Sequence, residues 1–148
     1  MGALKVAIAA DHAGYALKEQ IRPLLESRGL TVLDLGPNSA ESVDYPVYAD
    51  FLAAALADGR ADRGVLICGT GLGISIAANR HPHVRAALCH EPLSARMARE
   101  HNDANVLALG GRMIGLSMAE ACLDAFLSTP FGGGRHEKRV AMLARSPT

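Results

Sequence analysis

Tryptophan is missing from the 148-residue sequence, and phenylalanine and tyrosine number three each. Proteins that hold unpaired bases stack them on aromatic rings, so a nucleic-acid platform is not expected here. Net charge is missing as well, because 15 Lys plus Arg balance 15 Asp plus Glu. No overall field therefore draws the chain to nucleic acid or to a membrane surface. No apolar run approaches about 18 residues, which leaves no segment expected to span a bilayer. Cysteine is scarce: Cys68, Cys89 and Cys122 are too few and too scattered for a disulfide framework or a CxxC metal site. The opening MGALKVAIAA lacks the basic region, long apolar segment and small-residue cleavage site of a signal peptide. Val6 stands where a myristoylation signal needs Ser or Thr. A reducing, cytoplasmic setting is the expectation. What is present is ordinary for a globular chain, with 49% hydrophobic and 20% charged residues. The length suits one domain, 1–148, able to bury a core.

Apolar runs alternate with helical patterns. Strands are predicted over 4–10, 30–36, 64–69, 84–90 and 105–111. Between them, Leu17, Ile21, Leu24, Leu25 and Arg28 mark one helical stripe, interrupted by Pro23, which is expected to kink it. An Ala-rich helix is predicted over 45–59 and shorter ones over 73–80 and 92–101, the last with Pro92 suited to a helix start. A long helix over 115–129, a hinge at 130–134 and a C-terminal helix over about 135–145 complete the pattern. Nearly unbroken apolar strands imply burial on both faces. The expected fold is therefore a Rossmann-like three-layer α/β/α sandwich, a five-stranded parallel sheet with helices on both sides.

In such sheets the loops leaving the carboxyl ends of the strands build the binding crevice. Asp11-His12, Cys68-Gly69-Thr70, His90-Glu91 and Gly110-Gly111-Arg112 all fall there. The turn Gly69-Thr70-Gly71-Leu72-Gly73-Ile74 is not a dinucleotide fingerprint, which would need glycine at 74. It is not a Walker A loop either, since Gly-Lys-Ser/Thr is missing. Nor is it a cysteine phosphatase loop, whose arginine would stand at 74. What remains is a strand-to-helix turn whose amides can converge on an anion or a developing oxyanion. Cys89 and Cys122 read as small buried hydrophobes. Cys68, at a strand end beside the glycine turn, reads as functional. Asp11 alone reads equally well as a helix cap. Arg135 and Arg139, four apart, can grip one anion from a shared helix face, although such pairs are commonly just solvated.

The segments AADHAG (9–14), DYP (44–46), ICGTGLGISIAAN (67–79), EPLSARMAREHNDANVLALGGR (91–112) and GGRHEKRV (133–140) together resemble ribose-5-phosphate isomerase type B. That family includes galactose-6-phosphate isomerase subunits. The resemblance runs from about residue 5 to 140 with the motifs in order. It implies interconversion of ribose 5-phosphate and ribulose 5-phosphate through an enediolate, without metal or cofactor. It makes Cys68 the general base, Thr70 the relay between O1 and O2, and His101 the acid–base group for opening the sugar ring. Asp11, His12, Tyr45, Asn102 and the Gly69, Gly71 and Gly73 backbone would contact the sugar. His12, Arg112, Arg135 and Arg139 would hold the phosphate. One branch of the family carries a Glu base where this chain has Ile74, so the cysteine branch is implied. Two alternatives stay open: an isomerase of a six-carbon 6-phosphate such as galactose or allose 6-phosphate, and a non-catalytic sugar-phosphate binder. No role for His81, His83, His90 or His136 is legible.

His101 and Asn102 fall between a helix and the start of the fifth strand, at the edge of the sheet opposite Cys68. The resemblance implies a homodimer or tetramer with sites at subunit boundaries. His101 is therefore expected to serve the Cys68 of a neighbouring subunit.

Overall fold

The structure is a computed structural model that describes residues 3–145. Its elements run β1 (Lys5–Ala10), α1 (Tyr15–Ser27), β2 (Thr31–Asp34), α2 (Tyr45–Ala57), β3 (Arg63–Cys68), α3 (Leu72–Ala78), β4 (Ala86–Leu88), α4 (Pro92–Asn102), β5 (Val106–Gly110), α5 (Leu116–Ser128) and α6 (His136–Leu143). The five strands form one parallel sheet in the order β2-β1-β3-β5-β4. No helix among the described residues is long and apolar enough to cross a membrane.

Side-chain alternation along the central strands feeds two cores. Val6, Ile8, Val65, Ile67, Leu107 and Leu109 pack with α1, α4 and α5 on one face. Ala7, Ala9, Leu66, Cys68 and Ala108 pack with α2 and α3 on the other. This is why β1, β3 and β5 read as unbroken apolar runs: both sides are covered. The helix that leaves β3 goes to one face, and the helices that leave its neighbours β1 and β5 go to the other. Diverging exits open a crevice at the carboxyl end of β3. Cys68 is the last residue of that strand.

Several expectations are corrected in detail. Pro23 does not interrupt α1, which is a single 13-residue helix. The fourth strand, expected over 84–90, contracts to Ala86–Leu88. Its outer edge is closed by a side chain, because Asn79 Oδ1 accepts from the Ala86 N–H at 2.8 Å and Asn79 Nδ2 donates to the Ala86 carbonyl at 3.0 Å. The second strand stops at Asp34, whose Oδ1 accepts from the Gly36 N–H. The C-terminal helix starts at His136 with Arg135 as its N-cap.

Candidate active site

The carboxyl ends of β1 and β3 are tied by the Asp11 N–H, which donates to the Ile67 carbonyl at 3.1 Å. Asp11 is only 6% exposed. Its Oδ1 accepts from the Ala13 and Gly14 amides at 2.9 and 3.0 Å, which shapes the entry to α1. The capping and site readings of Asp11 are thus compatible, because these bonds occupy one of its two oxygens. His12 follows, and its Nδ1 accepts from the Val43 N–H at 3.2 Å. With Nδ1 accepting, the ring proton is on Nε2, the nitrogen left to donate to an anion. That bond also moors the polar loop before α2 to the crevice.

Cys68 is 4% exposed, and its Sγ accepts from the Gly71 N–H at 3.2 Å. The turn can deliver that amide because Gly71 adopts φ +79°, in the left-handed region. Thr70 is exposed, and its Oγ1 accepts from the Leu72 N–H at 3.2 Å, which leaves the hydroxyl hydrogen free to donate. The next loop is laced to this one. Gly111 N–H donates to the Cys68 carbonyl at 2.8 Å, and Arg112 N–H to the Gly69 carbonyl at 2.9 Å. The Arg112 guanidinium lies against Gly69, so that a Cβ there would meet Nη1 at 3.4 Å. From α2, the Tyr45 ring covers Gly73 and helps line a cavity of about 220 Å³ with Pro46 and Ile76. One chain therefore gathers Asp11, His12, Tyr45, Cys68, Gly69, Thr70, Gly71, Gly73 and Arg112 at one edge of the sheet.

His101, Asn102, Arg135 and Arg139 are not among them. The α4 helix starts at the carboxyl edge and returns to the amino edge, where His101 and Asn102 end it. Its end is held by Arg99, whose buried guanidinium donates to Asp103 Oδ1 at 2.8 Å, the Ala104 carbonyl at 2.7 Å and the Thr129 carbonyl at 3.1 Å. The Gly132 N–H donates to the Glu100 carbonyl at 2.9 Å, which brings the hinge and α6 alongside. His136, the first residue of α6, stacks on His101. Asn102 opens on a cavity of about 360 Å³ shared with Arg85, Ala104 and Leu143. A second polar cluster thus forms at the far edge, without a nucleophile.

Sequence reasoning missed three contributors. His136 carried no recognisable signal, because its partner is distant in sequence. Arg99 is buried against carbonyls from the loop after α4 and the end of α5, which helix periodicity does not show. Val43 acts through its backbone, which no side-chain pattern reveals.

A parallel α/β fold whose open strand end carries a thiol, a hydroxyl, glycine amides and an arginine is of the doubly wound class, in which ligands bind at that end of the strands. The sequence matches the Ribose/Galactose Isomerase family over residues 6–143. It is 51% identical over 136 residues to ribose-5-phosphate isomerase B of Escherichia coli, covering 92% of this chain and 91% of that one. It is 44% identical over 138 residues to D-erythrulose-4-phosphate isomerase of Pectobacterium atrosepticum, covering 93% and 91%. The solved structure of ribose-5-phosphate isomerase B from Clostridium thermocellum superposes with a TM-score of 0.94 at 51% identity, covering 95% of each chain. The chain belongs to the ribose/galactose isomerase family. It is an enzyme of the aldose–ketose isomerase class.

Proposed function

We propose that the chain interconverts ribose 5-phosphate and ribulose 5-phosphate without metal or cofactor, in sites shared between two copies. The observation that carries this reading is the buried Cys68 Sγ at the open end of β3, with a backbone N–H on the sulfur and the Thr70 hydroxyl two residues away. Deprotonated Cys68 takes the proton from C2 of the open-chain aldose, and the carbonyl electrons move onto O1 to give an enediolate. Amides of the Gly69–Gly73 turn stabilise that charge. Thr70 donates a proton to O1 and receives the one on O2. As the C2 carbonyl forms, the thiol returns its proton to C1, so one base serves both carbons. Asp11 and Tyr45 orient the sugar, while His12 and Arg112 meet the phosphate.

The far-edge cluster supplies what this half lacks. His101 opens the ring, Asn102 contacts the sugar, and Arg135 with Arg139 completes the phosphate grip, each acting on the Cys68 half of a second copy. Exposed Val47, Phe51, Leu72 and Ile76 on α2 and α3 lie beside the crevice and give a homodimer an apolar face to bury. The reaction needs Cys68 reduced, and all three cysteines are free and buried, which supports a reducing, cytoplasmic setting.

Incubation in heavy water with ribulose 5-phosphate tests the assigned base. The wild type should place deuterium at C1, and Cys68→Ala should place none while still binding the substrate. Deuterium incorporation by Cys68→Ala, or turnover that a strong chelator stops, would contradict the proposal. A panel of four-, five- and six-carbon aldose phosphates compared by kcat/KM reads the preferred chain length, and the five-carbon ester should lead.

A further inference from the structure

The His101 and His136 rings stack with centroids 4.6 Å apart and planes 15° from parallel. The contact joins the end of α4 to the start of α6, and it is not a loose encounter. Arg99 anchors Thr129, Asp103 and Ala104 around it, and Gly132 is bonded to Glu100 next door to His101. Both rings therefore sit on a braced corner of one chain.

We infer that His136 is the positioning residue of His101: its imidazole face holds the His101 ring plane in the attitude that ring opening requires. This rests on the reading in which His101 opens the sugar ring. A stack of two imidazoles survives only while both are not cations. His136 is biased to the neutral form, because desolvation of its ring and then the positive charges of His101, Arg135 and Arg139 lower its pKa, with Glu100 opposing them. Those charges come from α4, from the α6 N-cap and from α6 itself. A neutral, flat neighbour can orient His101 without competing for its proton.

Two rates measured on one enzyme separate this role from others. Conversion of ribose 5-phosphate, a closed ring in solution, passes through ring opening. Exchange of the C1 hydrogen of ribulose 5-phosphate with heavy water does not, because phosphate on O5 bars furanose closure and the enediolate can return to ketose. Since α6 buries no residue, substitution at 136 leaves the core intact, and an unchanged melting curve checks this. His136→Ala should lower kcat on ribose 5-phosphate by about tenfold, the order expected for a misdirected catalytic group. KM and the exchange rate should stay within about twofold. His136→Tyr, which keeps a flat ring, should recover most of the lost kcat. Equal loss of both rates, a raised KM with kcat preserved, or no change in His136→Ala would overturn the inference. A wild type inert in both assays would instead overturn the proposed function itself.

Discussion

Two glycines of the same turn separate stability from activity. A Cβ at Gly71 would press on Leu88 Cδ1 and lie 3.0 Å from the Leu109 carbonyl carbon, in a backbone already at φ +79°. Gly71→Ala should therefore cost about 1–3 kcal/mol of stability, read by urea denaturation. At Gly73 the added carbon would meet the Tyr45 ring at 2.6 Å, and Tyr45 is 38% exposed and free to swing away. Gly73→Ala should fold nearly as well as the wild type yet lose about tenfold in kcat/KM, as Tyr45 leaves its place over the pocket. Equal stability loss in both variants would contradict this division. Cys68 and its turn could be found from sequence because a strand end followed by glycines is a local pattern. The Tyr45 cover on Gly73 could not, since it depends on where α2 lands.

Among the secondary structures, the lattice of strands and helices was largely legible because double-sided burial writes itself as apolar runs. The failures have local causes. The fourth strand is short because its edge bonds go to side chains: Asn79 serves Ala86, and Asn105 Oδ1 accepts from the Arg85 N–H at 2.7 Å. Lys18 of α1 is 0% exposed, with Nζ 2.9 Å from both Asp34 oxygens and 3.0 Å from Glu19 Oε2. It pins α1 to the end of β2, from which the crevice loop departs. Asp34→Ala would strand that ammonium apart from Glu19. The expected loss is about 2 kcal/mol, below the ~3–5 kcal/mol of a wholly unpaired buried charge, and chemical denaturation measures it. Burial in the α5 core pushes the Cys122 thiol up to about 11 from its ordinary 9.0. A raised pKa means the folded state holds the proton more tightly, so this stabilisation is complete below pH 9.0 and is lost as pH climbs towards about 11. Cys122→Val should remove that part of the alkaline decline, worth roughly 3 kcal/mol. An unchanged alkaline limb would contradict the assignment.

Across the molecule, the polar chemistry divides between opposite edges of the sheet. One edge holds Cys68, Thr70 and Arg112; the other holds His101, Asn102 and α6. This division was legible in outline, because a residue just before a parallel strand must lie at the amino edge. The joining of α6 to α4 through Arg99, Gly132 and the imidazole stack was not, since it links segments with no shared periodicity. A two-fold arrangement can bring one copy's far edge onto the other's crevice, and each dimer then carries two equivalent sites. The most direct measurement mixes Cys68→Ala and His101→Ala chains, each inactive alone, under conditions that allow subunit exchange. Half of the dimers formed should be hybrids with one site intact, restoring about a quarter of wild-type activity. Activity that stays at background after verified hybrid formation would mean that His101 and Cys68 do not serve one site from two chains.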